Sequence, residues 1–383
     1  MAASVALAPG AWLGCLGGGQ LGRMFVHAAQ AMGYKVLVLD PDANGPAAQA
    51  ADDIIVAAYD DGAAIAQFGS RVSAVTTEFE NVPAATLELL AKHIPTRPSA
   101  HAVRIAQDRR KEKRFFSEHG LPVGAFAVIE SDADIDRADS SLFPAILKTA
   151  TLGYDGKGQA RVANKVEAAE AFAKFAKTPC VLEKLVAFDR EISVLVARGA
   201  NGETRVWPVQ ENQHVNGILD LTIVPARIDA ALSARAQSLA AELVRALDYV
   251  GVLCVEIFVA GEQLLLNEIA PRPHNSGHYT IEACVTSQFA QQVRALAGLP
   301  LGDPSLVQAA VMVNVLGDVW FDAAQVMQPA WADVLAIDGS HVHLYGKAEA
   351  RRARKMGHVT CTATSLDAAL AKAEAVKRHL RIA

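Results

Sequence analysis

The sequence predicts a multidomain chain of mixed class, α/β at the N-terminus and α+β beyond it, and three observations carry that prediction. Residues 11 to 40 read as strand, glycine turn, helix and strand. Residues 253 to 269 read as a hairpin with paired acids. The length of 383 residues with 51% hydrophobic content supplies two or three packed cores.

The first block opens with an apolar run at 11 to 16, followed by Gly17-Gly18-Gly19-Gln20-Leu21-Gly22, a helical pattern from 23 to 32, and a strand from 34 that ends on Asp40. This is the first unit of an open parallel sheet, which runs 53 to 56 and 72 to 77 extend. The glycines are like a dinucleotide fingerprint, with Asp40 placed to meet a ribose. The competing reading is that they tighten the turn and let the helix pack close to the sheet.

The second block starts near Pro98. Residues 107 to 116 form a charged amphipathic helix, whose plain reading is a solvated face. A short apolar strand at 144 to 148 ends on Lys148 and leads into TATLGYDGKGQ, residues 149 to 159. Three glycines between 153 and 158 suit a mobile loop that offers backbone N–H groups to phosphate, or a simple hairpin turn. The Walker A ending is missing. Strand-like runs follow at 180 to 186 and 190 to 196, then a helix from 230 to 248.

In the hairpin, a three-residue loop at 261 to 263 sets Glu256 directly opposite Glu268. Two carboxylates roughly 5 Å apart at Cβ repel unless a cation sits between them, and magnesium takes such oxygens. A two-residue Gly-Glu turn instead places Asn267 opposite Glu256 and leaves an ordinary solvated acid. The polar segment Ile269-Ala270-Pro271-Arg272-Pro273-His274-Asn275-Ser276-Gly277-His278 follows at once.

The third block, from about residue 309, carries an apolar run at 310 to 316 and the cations Lys347, Arg351, Arg352, Arg354 and Lys355. They suit a local anion site; the alternative for Arg351, Arg352 and Lys355 is a solvated helix face. Nucleic-acid and membrane-surface binding are excluded as general functions, because 36 basic against 41 acidic residues give a formal charge of -5. Five scattered cysteines lack metal-ligand spacing and fit reduced thiols. With no basic n-region at the start and no apolar stretch near ~20 residues, a cytoplasmic protein is expected.

GGGQLGRM at 17 to 24, TTEFENV at 76 to 82, AQDRRKEK at 106 to 113, GYDGKGQ at 153 to 159, NEIAPRPHNSGHYT at 267 to 280, HLYGK at 343 to 347 and RKMGH at 354 to 358 together span nearly the whole chain. In these motifs the sequence resembles the N5-carboxyaminoimidazole ribonucleotide synthases, a family of ATP-grasp ligases. The resemblance implies an open-sheet pre-ATP-grasp domain at 1 to 105, an ATP-grasp domain at 106 to 305, a small C-terminal domain at 306 to 383, and a homodimer. It implies ATP held by Arg109, Lys148, Gly153, Tyr154, Asp155, Gly156, Lys157, Gly158, Gln159, Glu183, Lys184, Leu185, Val186, Glu191, His214, Asn267 and Glu268. Magnesium, with manganese as a possible substitute, falls to Glu256 and Glu268. The implied acceptor, 5-aminoimidazole ribonucleotide, falls to Gln20, Glu78, Asp155, Lys157, Arg272, Asn275, Lys347 and Arg354, with Asp155, Lys157 and Arg272 at the reacting end beside bicarbonate. Another carboxylate–amine ligase of the superfamily, a dehydrogenase and a non-catalytic nucleotide binder are the alternatives.

Overall fold

The computed structural model describes residues 6–151, 153, 158–322 and 325–382. Its first layer is β1 (Trp12–Leu16), α1 (Gln20–Ala31), β2 (Lys35–Asp40), β3 (Asp53–Val56), α2 (Gly62–Arg71) and β4 (Ala74–Thr77), followed by α3 (Ala84–Ala91) and α4 (Ala100–Ala106). The four strands run parallel in the order β3-β2-β1-β4. Both faces are covered, so the strands are almost continuously apolar. Leu13, Cys15, Val36 and Val38 pack with α1, while Leu16, Leu37 and Leu39 face Ile65 and Phe68 of α2.

Next come α5 (Arg109–Glu118), β5 (Phe126–Ile129), α6 (Asp132–Arg137), β6 (Ala145–Thr149), β7 (Gln159–Val162), α7 (Lys165–Lys174) and β8 (Cys180–Lys184). These strands form an antiparallel sheet in the order β5-β8-β6-β7. Its core of Ile129, Leu147, Phe172 and Leu182 is sealed by α6 and α7.

A larger antiparallel sheet follows. The stretch that builds and covers it runs through β9 (Arg190–Arg198), β10 (Thr204–Val206), β11 (Gln210–Val215), β12 (Ile218–Val224), α8 (Ala230–Ala246), β13 (Gly251–Ala260), β14 (Gln263–Ala270), α9 (Thr280–Ala283), α10 (Gln288–Ala297), β15 (Ala309–Leu316), β16 (Phe321–Asp322), β17 (Gln325–Val326), α11 (Trp331–Leu335), β18 (Ser340–Leu344), β19 (Lys355–Ala363) and α12 (Leu366–Leu380), with β16 and β17 paired as a separate ribbon. The order β14-β13-β9-β11-β12-β15-β19-β18, with β10 on one end of β9, makes one continuous surface. The C-terminal strands therefore extend the sheet that β9 and β13 begin. One side of β9 and β13 buries Ile192, Val194, Val255 and Ile257 with α8.

Helix α10 joins the layers. Phe289, Val293 and Leu296 enter the core of the parallel sheet. Gln292 donates to Thr76 Oγ1 at 2.8 Å and accepts from the Val252 N–H at 2.7 Å. Arg97 reaches the carbonyls of Ala295 and Leu296 at the end of the same helix, where a cation complements the helix dipole.

The basic run after Tyr345 departs from the helical face considered above. Residues 351 to 354 make a turn and β19 begins at Lys355, because the backbone here is taken up by sheet pairing: Leu316 lies opposite Lys355, and His343 opposite His358. Ala353 at φ 60° and its N–H on Asp318 Oδ2 close the turn.

Candidate active site

The hairpin has the shorter turn, yet keeps the acids opposed. Ala260 pairs with Gln263, so only Gly261 and Glu262 form the loop; that register by itself would set Asn267 against Glu256. A β-bulge inserts Asn267 between Leu266, opposite Ile257, and Glu268, opposite Glu256. One extra residue thus returns Glu268 to the face of Glu256. The expectation of a three-residue loop is corrected, and the opposition it was meant to explain stands.

Helix α5 clamps the bulge from the side. Arg109 Nη1 lies 2.5 Å from Glu268 Oε2, Lys113 Nζ donates to the Asn267 carbonyl at 2.8 Å, and Glu112 Oε1 accepts from the Ile269 N–H at 2.8 Å. Three consecutive residues of β14 are thereby gripped by positions i, i+3 and i+4 of one helix face. Glu112 and Lys113 are buried, so this face is not solvated. Burial pushes Glu112 up to about 8. Neither residue figured among the expected site residues, although the helical spacing from Arg109 was there to be read.

Lys148, on β6, faces the bulge across the gap between the two antiparallel sheets, its Nζ 3.5 Å from Asn267 Oδ1. Glu183 is not left open toward the gap: its carboxylate stands 3.1 Å from Lys113 and 3.2 Å from Lys148. Burial opposes the charge on Glu183, but those two ammonium groups outweigh it and hold the carboxyl below its usual range. Glu268 is held low in the same way, with Arg109 the leading partner. Glu256 is pushed up by burial and by Glu268, with His214 the leading group that opposes the rise, and His274 Nε2 stands 3.3 Å from its Oε1. Burial first, and Arg272 next, hold His274 down to about 3.

Arg109, Lys148, Glu256, Asn267, Glu268 and His274 line a cavity of about 750 Å³ between the sheets, while Lys113 and Glu183 stand behind its wall. At one end Glu191 Oε2 stands 2.5 Å from His214 Nδ1, and the Phe188 and Phe258 rings stack at 4.7 Å. Burial disfavours a charged His214, but Glu191 more than compensates and raises it. Ile146 and Leu185 supply the apolar wall. Gly153 and Gln159 line the mouth, and Gly158, at φ 70°, sits where a Cβ would meet Thr149 Oγ1 at 2.5 Å. Tyr154, Asp155, Gly156 and Lys157 lie outside the described residues.

At the other end Gln20, Glu78, Glu80, Arg272, His274, Asn275 and Lys355 line the cavity. Arg272 Nε pairs with Glu80 Oε2 at 2.5 Å. Lys347 and Arg354 are not in the lining: Lys347 Nζ donates to the Lys355 carbonyl at 2.6 Å, and Arg354 Nη1 to the Glu349 carbonyl at 3.0 Å. Lys355, read from the sequence as part of a solvated face, reaches the cavity instead. The glycine turn is filled by its own chain. Glu78 accepts from the N–H groups of Gly19 and Gly22 at 3.0 and 3.1 Å. Asp40 accepts from Gly18 N at 2.5 Å, Asp42 N at 2.7 Å and the Tyr59 hydroxyl at 2.5 Å, which removes it as a ribose contact.

Family models match along the chain in the same order: the ribonucleotide synthetase preATP-grasp domain over residues 11–107, the ATP-grasp domain over 114–289, and the phosphoribosylaminoimidazole carboxylase C-terminal domain over 310–372. The N5-carboxyaminoimidazole ribonucleotide synthase of Brucella melitensis biotype 1 is 45% identical over 358 residues, 92% of this chain and 97% of that protein. The chain belongs to the N5-carboxyaminoimidazole ribonucleotide synthase family. The crystal structure of an ADP complex of an N5-carboxyaminoimidazole ribonucleotide synthetase is similar at a TM-score of 0.91 and 43% identity, covering 99% of this chain and 98% of that one. An Aspergillus clavatus N5-carboxyaminoimidazole synthase in complex with ADP and 5-aminoimidazole ribonucleotide is similar at a TM-score of 0.88 and 32% identity, covering 97% and 99%.

In this synthase-family chain the donor set around the bulge suits a hard divalent cation. Glu256, Glu268 and Asn267 Oδ1 are oxygen donors at one edge of the cavity. Among the described residues no group of three or more His, Cys, Asp or Glu is arranged to hold a metal. A cation here would complete its shell with phosphate and water, as magnesium does beside nucleotides.

Proposed function

We propose that the chain is an ATP-grasp ligase that carboxylates the amine of 5-aminoimidazole ribonucleotide, using ATP and bicarbonate and releasing ADP and phosphate. The product, N5-carboxyaminoimidazole ribonucleotide, belongs to purine biosynthesis. The observation that carries this reading is the Glu256–Glu268 pair, held opposite by the Asn267 bulge at the edge of a cavity between two antiparallel sheets that Arg109, Lys148 and Arg272 also line.

Adenine enters the apolar end beside Leu185 and the backbone at 184 to 186, with Glu191 and His214 accepting or donating to the ribose hydroxyls. Arg109 and Lys148 balance the phosphate charge, and the segment 153 to 159, to which Tyr154 and Gly156 belong, serves to cover it and exclude water. Glu183 orients Lys148 and Lys113. Glu256 and Glu268, with Asn267 beside them, hold magnesium, for which manganese can substitute; when bound, the ion offsets the charge that builds on the transferring phosphoryl group.

Bicarbonate becomes electrophilic once one of its oxygens carries phosphate. Arg272, anchored on Glu80, is aimed at that acyl phosphate. Gln20 and Asn275 face the acceptor riboside, with Glu78 holding the glycine turn beside them, while Lys347 and Arg354 turn from the Lys355 and Glu349 carbonyls to hold its phosphate. Asp155 orients the attacking amine and Lys157 serves the same reacting end; the proton leaves to Asp155 or to the released phosphate. A homodimer in the cytoplasm completes the reading.

The deciding experiment follows ADP and carboxylated product from ATP, magnesium, bicarbonate and 5-aminoimidazole ribonucleotide, omitting each in turn. Product is expected only from the full mixture. Equal product without bicarbonate, or from another amine acceptor in its place, overturns the assignment.

A further inference from the structure

His274 stands between the acid pair and a row of buried polar side chains that the reaction scheme leaves without a task. Its Nε2 lies 3.3 Å from Glu256 Oε1. Its Nδ1 lies 2.9 Å from Ser276 Oγ and 3.3 Å from the Ser276 backbone nitrogen. A backbone N–H can only donate, so Nδ1 is the lone-pair nitrogen, and the proton of the neutral ring sits on Nε2, the nitrogen nearer Glu256.

The rest of the row follows from that assignment. Ser276 spends its hydroxyl proton on Nδ1 and must accept from Ser193 Oγ, 2.9 Å away. Ser193 in turn accepts from Asn212 Nδ2 at 2.8 Å, and Asn212 Oδ1 accepts from Thr222 Oγ1 at 3.2 Å. Each member donates toward His274. Ser193, Ser276 and Thr222 are fully buried and Asn212 nearly so. Ser193 also stands directly opposite Glu256 in the β9–β13 pairing. On the same face the next residues inward, Leu195 and Cys254, belong to an apolar core. A polar row at such a boundary is costly unless every bond is made, and fully made it fixes one arrangement.

We propose that Ser276, Ser193 and Asn212 are positioning residues: together with the Ser276 backbone N–H they fix the His274 tautomer, so that the proton on Nε2 is presented to Glu256. The consequence for the cation rests on the reading of Glu256 given above, whereas the tautomer does not.

The test is a long-range ¹⁵N–¹H correlation spectrum of the full chain labelled with ¹⁵N-histidine, without nucleotide or metal, at neutral pH. His274 is assigned by the signal lost in His274→Asn. The Nε2-protonated pattern is expected in the wild type, and a shift toward the Nδ1-protonated pattern in Ser276→Ala and Ser193→Ala. Ser193→Ala, one bond removed from the ring, carries the reading if Ser276→Ala folds poorly. In the same variant the magnesium half-saturation should rise roughly tenfold, the scale on which partners of metal ligands act, with the KM for 5-aminoimidazole ribonucleotide unchanged. A wild-type ring protonated on Nδ1 overturns the proposal, as does a Ser193→Ala ring identical to wild type or an unaltered magnesium half-saturation. Failure of the cation reading shows separately, as a magnesium requirement that Glu256→Gln leaves untouched.

Discussion

Two regions of this chain look alike as sequence and differ in what the fold does with them. The glycine turn after β1 and the acidic hairpin of β13 and β14 each bring carboxylates to a place where phosphate chemistry is expected. At the turn, Glu78 and Asp40 are consumed by the chain's own donors, the N–H groups of Gly18, Gly19, Gly22 and Asp42 and the Tyr59 hydroxyl. A helix N-terminus that could receive an anion already holds one. At the hairpin, the flanking cations grip Glu268 and the bulge while Glu256 keeps a face to the cavity. A motif signals a ligand only where the fold leaves its groups something to bind.

The largest effect expected from this contrast is at the hairpin. Glu268→Gln should lower turnover by at least about 100-fold, on the scale of lost electrostatic stabilisation, with little change in melting temperature. Glu256→Gln should act the same way, less severely. Turnover near wild type in both at limiting magnesium would remove the distinction between the two regions. If the turn cannot take the acceptor's phosphate, the C-terminal cations must. Lys347→Ala or Arg354→Ala should then raise the KM for 5-aminoimidazole ribonucleotide about tenfold or more, since a charge-assisted contact is worth roughly 1.5 to 3 kcal/mol. Calorimetry showing an equal loss of ATP affinity would contradict that placement.

The turn itself should answer in stability. Asp40→Asn weakens three hydrogen bonds, one buried and two half-buried, and should cost about 1 to 3 kcal/mol in denaturant unfolding, while the KM for ATP stays put. A selective loss of activity there would make the two regions equivalent after all. The narrowest effect, confined to one pH window, concerns the clamp. Glu112 titrates near 8 in the folded chain against an ordinary 4.5. The folded form therefore carries the extra proton between those values, and stability falls as pH rises through the window, by at most about 1.4 kcal/mol per pH unit. Glu112→Gln should flatten that slope between pH 6 and 8; an unchanged slope would mean that the carboxyl is charged in place.

Periodicity exposed the parallel sheet, because strands buried on both faces leave long apolar runs and the glycines mark the first turn. The opposed acids were legible as residues but not as geometry. Counting from the Gly-Glu turn gives the wrong partner, and the bulge that restores the right one depends on Arg109, Glu112 and Lys113, some 150 positions earlier in the chain. The turn at 351 to 354 was hidden for a similar reason. Arg351 to Lys355 have the composition of an exposed helix, and only pairing with β15 and β18 makes Lys355 the start of a strand. The fate of Asp40 was settled by Tyr59, which no local pattern ties to it.

The continuity of the large sheet bears on how the chain reaches this shape during synthesis. β12 is synthesised well before its partner: its edge at Leu221 to Val224 is hydrogen-bonded by β15, which emerges some 90 residues later, and β15 pairs in turn with β19. Until then the ribosome-bound chain presents an apolar strand edge able to zip onto a neighbouring nascent chain. A chain cut near residue 305, however neat as a domain boundary, would keep that edge open for good, and its yield in the soluble fraction would be governed by self-association before its nucleotide cleft was ever tested.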